Sequence, residues 1–137
     1  MNVPFSDLEI AARTVWGEAR NQDQTGRLAV AYVIRNRWQS DRWFGKGTVE
    51  DVCLREWQFS CHNKGDPNKD KLAQVALDNT MLQKCLHASL TAFLGLEEDP
   101  TNMATHYFHV DLATPYWAEG KTAECVIGEH VFYKNIN

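Results

Sequence analysis

The chain of 137 residues is long enough for one domain and hardly for two. With 44% hydrophobic and 23% charged residues it has the composition of a packed core, not of a disordered segment. A formal net charge of -4 lacks the basic footprint of a nucleic-acid binder, and no apolar run approaches the ~18 residues of a membrane span.

The N-terminus, MNVPFSDLEIAARTVWGEAR, shows no basic leader followed by an apolar run, so no ordinary secretory signal is visible. Ser6 and Glu9 read as a capping box that opens a first helix. Leu8, Ala11, Ala12, Val15 and Ala19 recur at helical spacing, and Asn21 is the expected terminus. Gly17 weakens this helix by about 1 kcal/mol relative to alanine, and a glycine there permits close backbone packing. Thr25 is the expected cap of a second helix, running to about Trp38, with Ala29, Val30, Val33 and Ile34 on its apolar side and Arg35, Asn36 and Arg37 near its end. The stretch from Gln39 to Gly47 reads as a loop carrying Trp43 and Phe44.

Thr48 to Leu54 fits a short helical turn, and the irregular REWQFSC carries Trp57 and Phe59. HNKGDPNKD is a loop rich in turn residues. Asn68 or Asp70 opens a third helix with Leu72, Val75, Ala76 and Leu82 on its buried face; it breaks near Cys85, and His87 to Leu96 form a fourth. EEDPTN is a turn, THYFHV a strand, and ATPYWAEG a loop because Pro115 interrupts it. The end reads as a hairpin, Cys125 to Ile127 and His130 to Tyr133, joined by Gly128 and Glu129. The fold class is therefore α+β: a single, mainly helical domain over 1–137 with a small antiparallel sheet late in the chain.

Cys53, Cys61, Cys85 and Cys125 allow three complete pairings. Reduced thiols are expected in a cytoplasmic chain, and disulfides remain open if the site of action is oxidising. Cys61, His62, Cys85, His87, His106 and His109 match no familiar zinc spacing, so neither a metal nor another cofactor is expected.

Glu18 is the first candidate for chemistry. It falls in the last turn of the first helix, beside the stripe of Ala11 and Val15. Lost hydration there favours a neutral carboxylic acid, the form that protonates a glycosidic oxygen. The plainer alternative is a surface ion pair with Arg13, Arg20 or Arg37. Aromatic residues make up 11% of the chain, and Trp43, Phe44, Trp57, Phe59, Tyr116 and Trp117 lie in expected loops, where they suit either sugar stacking or loop anchoring. Gln58 and Ser60 flank Phe59 and can line a groove or tie down a loop. On the THYFHV strand His106 and Phe108 share one face, and Thr105 and Tyr107 the other. Ser60 with His106 has no G-x-S-x-G context to support a nucleophilic triad.

Three stretches in order resemble the SleB-type cell-wall hydrolases, the catalytic domains of spore-cortex-lytic enzymes, with similar stand-alone domains among bacteriophage endolysins. They are AARTVWGEARNQDQTGRLAVAYVIRNR at 11–37, EWQFSC at 56–61, and DPTNMATHYFH at 99–109 followed by PYW at 115–117. The family's DPTGGATH is here DPTNMATH, with Asn102 and Met103 in place of two glycines. The resemblance implies a fold like that of lysozyme and the lytic transglycosylases, helices around a glycan groove with a small sheet. It makes Glu18 the catalytic acid and peptidoglycan glycan strands the partner. Gln58, Ser60, Thr105, His106, Tyr107 and Trp117 are the expected substrate-binding residues. Cleavage is expected between N-acetylmuramic acid and N-acetylglucosamine by a lytic transglycosylase mechanism that needs no second carboxylate. The alternatives are a hydrolytic muramidase, with a partner among Asp51, Glu56, Asp99 and Asp111, a glycan-binding protein without turnover, or an amidase or peptidase. A monomer is expected. The length leaves no room for a separate wall-binding domain, which favours a phage-type lysin held in the host cytoplasm until its release to the wall, or a small remodelling enzyme.

Overall fold

A computed structural model describes residues 3–137. Among the described residues there are five α-helices and a three-stranded antiparallel sheet. Helix α1, Phe5–Ala19, begins after Pro4, whose carbonyl accepts the amides of Asp7 (3.0 Å) and Leu8 (3.3 Å). The expected Ser6–Glu9 box does not form. Pro4 occupies the cap with φ -65, already suited to a helix start, and no side chain caps this end. Ser6 lies inside the helix, and Glu9 pairs with Arg13 at 3.0 Å.

Helix α2, Gln24–Gln39, is capped by Asp23, not by Thr25; the aspartate accepts from the Gly26 amide at 2.9 Å. Aspartate is at least as strong a cap as threonine, and using it starts the helix two residues earlier. Every residue from Leu28 to Ile34 is buried, so α2 is covered on all sides and forms the axis of the domain. Helix α1 lays Ala11, Val15 and Ala19 in one fully buried row, packing on α2 and on α5, and small side chains there let the helices approach closely. Helix α3, Val49–Leu54, carries a capping box between Thr48 and Asp51.

Helix α4, Pro67–Gln74, starts at a proline behind the Asp66 cap and is eight residues long. The break expected near Cys85 lies at 75–79 instead. Asn79 accepts from the Leu82 amide at 3.0 Å and caps α5, Thr80–Leu94, which runs unbroken through a fully buried Cys85. Gly95, at φ 64, ends α5 with its left-handed conformation, so Leu96 lies outside the helix. All four cysteines are free thiols; Cys53, Cys61 and Cys85 are buried and Cys125 is half-buried.

Strand β1, His106–His109, pairs with β3, His130–Tyr133, which pairs with β2, Cys125–Ile127. Tyr107 lies opposite Phe132 and His109 opposite His130. Strand alternation turns Tyr107, His109, His130 and Phe132 to one face, with Phe132 in the main core. Phe108, Val131 and Tyr133 take the other face and pack with Trp117, Ala118 and Ile136 in a second small core.

Candidate active site

Glu18 sits in the last turn of α1, half-buried, where three segments meet. Its Oε2 accepts from the Ser60 hydroxyl and from the Cys61 amide, each at 3.1 Å. Its Oε1 accepts from the Tyr107 hydroxyl at 2.6 Å. The carboxylate is therefore held by polar donors as well as flanked by the helix stripe, and no surface ion pair to Arg13, Arg20 or Arg37 forms among the described residues. Arg13 instead binds Glu9 and the carbonyls of Leu72 and Val75, both at 2.7 Å, and so fastens the end of α4 to α1.

The segment bearing Ser60 reaches Glu18 because position 17 is glycine. A Cβ there would stand 2.6 Å from Cys61 Cβ and 2.8 Å from its Sγ. The Tyr107 strand is delivered by the pair Asn36–Arg37 at the end of α2. Asn36 donates to Asp99 (2.8 Å) and to the Ala104 carbonyl (2.9 Å), while Arg37 Nε donates to the Thr105 carbonyl at 2.5 Å. Asp99 in turn accepts from the amides of Thr101 (2.8 Å) and Met103 (3.0 Å). That loop needs two left-handed residues, and Asn102 (φ 54) and Met103 (φ 70) adopt the conformation without being glycine.

Three adjoining hollows form one groove past Glu18. The central one, of about 320 Å³, is lined by Glu18, Trp57, Gln58, Ser60, Asn68 and Tyr107 among others. A second, of about 240 Å³, shares Glu18, Asn68, His109 and His130 with it and adds Arg20, Asn21 and Gln22. The third, of about 360 Å³, shares Trp57, Gln58, Tyr107 and Phe108 and adds Arg37, Trp43, His106, Tyr116 and Trp117. Glu18 is the sole carboxylate among the described residues lining these hollows. Asp51 caps α3, Asp99 is bound into its loop, Asp111 sits beside His109, and Glu56 is exposed.

Of the residues singled out from sequence, Ser60 and Tyr107 touch Glu18, and Gln58 lines the groove beside them. His106 and Trp117 line only the third hollow, in tilted ring contact at 5.1 Å. Thr105 faces away from the groove. It lines a separate hollow with Asn36, Arg42 and Met103, and its hydroxyl meets His106 Nδ1 at 2.9 Å. Phe44 and Phe59, both 1% exposed, are core. Asn68, His109, His130 and Arg20 are groove residues that the sequence did not indicate as substrate-binding. Asn68 accepts from Arg20 at 2.8 Å, and a short-range signal for that pairing, 48 residues apart, does not exist in sequence.

Burial sets the titration of the groove. Desolvation, with the Glu18 charge nearby, raises the Tyr107 hydroxyl well above its ordinary value, so it stays a phenol. Desolvation, helped by Arg37, lowers His106 to about 3, and desolvation, helped by His109, lowers His130 to about 4; both rings are neutral near pH 7. His109, Asp111 and Glu129 bring ligand atoms within 4.8 Å of one another, as a metal site would. The Asp111 amide donates to His109 Nδ1 at 3.1 Å, and Nε2 on the far side of the ring meets Glu129 at 3.1 Å. The Asp111 carboxylate also lies 3.7 Å from His109 Nδ1.

The family model described as Cell Wall Hydrolase matches residues 21–133, a span that begins just after Glu18. The spore cortex-lytic enzyme of Halalkalibacterium halodurans is 31% identical over 135 residues, covering 96% of this chain and 37% of that protein. The chain spans less than half the length of the curated relatives it matches. The crystal structure of the catalytic domain of the Bacillus cereus SleB protein superposes with a TM-score of 0.79 at 29% identity, covering 97% of this chain and 93% of that one. The catalytic domain of the germination-specific lytic transglycosylase SleB from Bacillus anthracis gives 0.77 at 29% identity, covering 97% and 98%. The helical fold with its small antiparallel sheet is that of the SleB catalytic domains, and the chain belongs to the Cell Wall Hydrolase family.

Proposed function

We propose that this chain cleaves peptidoglycan glycan strands between N-acetylmuramic acid and N-acetylglucosamine, as a lytic transglycosylase with Glu18 as its single acid and base. The observation that carries the reading is a lone carboxylate, clamped by three donors, at the middle of a continuous groove. The Cys61 amide can only donate, so Oε2 remains an acceptor in either protonation state. Tyr107, which touches Oε1, can donate to the carboxylate or accept from the acid, so one hydroxyl serves both states.

Glu18 delivers its proton to the bridging oxygen as the bond to the muramic C1 breaks. Positive charge develops at C1. The muramoyl C6 hydroxyl attacks C1, and its proton passes to the Glu18 carboxylate, which regenerates the acid. The product carries a 1,6-anhydro ring. A two-carboxylate glycosidase requires a second acid about 5–5.5 Å away for retention or about 6.5–9.5 Å for inversion. Among the described residues, the groove lining offers none besides Glu18.

Two measurements test this. Mass spectrometry of fragments released from purified sacculi should find anhydro ends, one water lighter than reducing ends; reducing ends alone would assign a hydrolytic muramidase. Glu18→Gln keeps the shape of the side chain but cannot deliver a proton, so lysis should fall by about 10²–10⁴-fold. A folded Glu18→Gln protein with near wild-type lysis refutes the mechanism.

A further inference from the structure

The third hollow of the groove has features that the chemistry at Glu18 does not use. Trp57 stands on its rim with 79% of its surface exposed, and Tyr116 faces the same hollow at 86%. Trp57 also adopts φ 66, a left-handed conformation uncommon for a bulky residue. Its turn is held from both sides. The Gln58 amide donates to the Arg55 carbonyl at 3.2 Å, and the Arg55 side chain binds the carbonyls of Phe44 (2.6 Å) and Lys46 (2.7 Å). The fold thus forces an indole into solvent without burying it.

The wall of the same hollow contains Arg37, only 4% exposed. Its guanidinium lies 4.6 Å over the Phe59 ring, and no carboxylate pairs with it among the described residues. Nε reaches the Thr105 carbonyl and Nη1 reaches Gln58 Oε1 at 3.3 Å, which leaves part of a five-donor fork without a protein acceptor. Burial without an anionic partner lowers this group to about 10, so it is still a cation near neutral pH. Donors of a wall cation that no protein acceptor takes up, beside exposed aromatic rings, suit a ligand with an apolar face and a strong acceptor. A pyranose bearing an acetamido group has both.

We propose that this hollow is a distal glycan subsite, in which Trp57 and Tyr116 stack on an N-acetylated amino sugar while Arg37 donates to its acetamido carbonyl. The subsite rests on the glycan-strand reading above, and its continuity with the Glu18 cleft through Trp57, Gln58 and Tyr107 puts it on the same strand as the scissile bond. Arg37 and Gln58 select the acetamido group; the two rings supply stacking that any sugar face accepts.

The test is steady-state cleavage of soluble peptidoglycan glycan strands by wild type, Trp57→Ala, Tyr116→Ala and Trp57→Phe, with a thermal melt of each. Both alanine variants remove exposed side chains, so the melts should stay near wild type. Each lost ring should raise KM about 2- to 10-fold, the range expected for an aromatic contact, with the loss carried by KM and not by kcat. Trp57→Phe should recover most of the affinity, which a structural role for the strained turn would not predict. Folded alanine variants with wild-type KM overturn the subsite while leaving the catalytic reading in place. A wild-type protein that leaves the strands intact sinks the catalytic reading and the subsite together.

Discussion

Gly17→Ala tests whether the Glu18 clamp depends on close approach of the Cys61 segment. The added Cβ would meet Cys61 Cβ at 2.6 Å, Sγ at 2.8 Å and Leu72 Cδ2 at 3.1 Å. Carbon atoms rest at about 3.5–4.0 Å, so Cys61 has to retreat by roughly 1 Å, and a Cβ moves only with its backbone. The Cys61 amide, 3.1 Å from Glu18 Oε2, would then lie beyond hydrogen-bond reach. Overpacking costs about 1–3 kcal/mol. Alanine recovers about 1 kcal/mol of helix propensity. The net destabilisation is therefore about 0–2 kcal/mol, a fall in Tm of up to about 8 °C for a chain of this size. Activity should fall much further. A hydrogen bond to a charged group is worth about 1.5–3 kcal/mol, which is roughly 10- to 100-fold in rate if Glu18 loses its alignment. Lysis of sacculi and thermal melts of the same preparations give both numbers. Adding Cys61→Gly removes the colliding atoms and should restore part of the activity. A Gly17→Ala protein with wild-type lysis and wild-type Tm would refute the close-approach argument.

Tyr107→Phe removes the donor to Oε1 and leaves the ring in place, so kcat should drop about 10-fold or more with little change in Tm; kcat within twofold of wild type would show that Ser60 and Cys61 suffice. His106 and His130 have folded values of about 3 and about 4, below the ordinary histidine value, so between those values and about 6.5 the unfolded chain binds more protons than the native one. Their contribution is intact above about pH 6.5 and is lost as pH falls, by up to about 2 kcal/mol per ring at pH 5, and urea melts at pH 7 and pH 5 should show it. Glu129 and Asp51, whose values are lowered first of all by their hydrogen bonds to Gln22 and Thr48, lose stability in the same direction but only at more acid pH. Met103→Gly relieves a left-handed φ of 70 at an exposed position and should raise stability by up to about 1 kcal/mol, read as a higher Tm; a lower Tm would mean that the side chain packs in solution.

The hairpin was legible from the residues because Gly128 and Glu129 separate two short runs of strand formers, and local turn chemistry decides such a pairing. The helix starts were less so. PFSDLE offers a proline and a serine as competing first-turn residues, and only the backbone shows Pro4 taking the cap. Apolar spacing continues from Leu72 to Leu82, which puts the expected break near Cys85. That spacing is shared by two separate helices, and the signal that divides them is the Asn79 cap. Burial of Cys85 inside α5 follows from helix packing, which one-dimensional periodicity does not report.

The site divides along a similar line. Glu18, Ser60 and Tyr107 lie on stretches that resemble a family, and the structure brings all three into contact. The reason is visible only in space: Gly17 opens room for Cys61, and Asn36 and Arg37 hold the loop that sets β1. Thr105 and Tyr107 share a face by strand alternation, yet only Tyr107 reaches the groove. Thr105 precedes the first residue of β1, and its amide pairs with the Tyr133 carbonyl at the edge of the ladder, where its hydroxyl turns toward His106. His109 and His130 join the groove through the register of β1 on β3, a pairing across 20 residues that alternation within either strand cannot supply. Helix spacing thus made Glu18 only a candidate, and the resemblance gave it the expected role of the acid, whereas the groove around it is a property of the sheet register and of two loops pinned to α2.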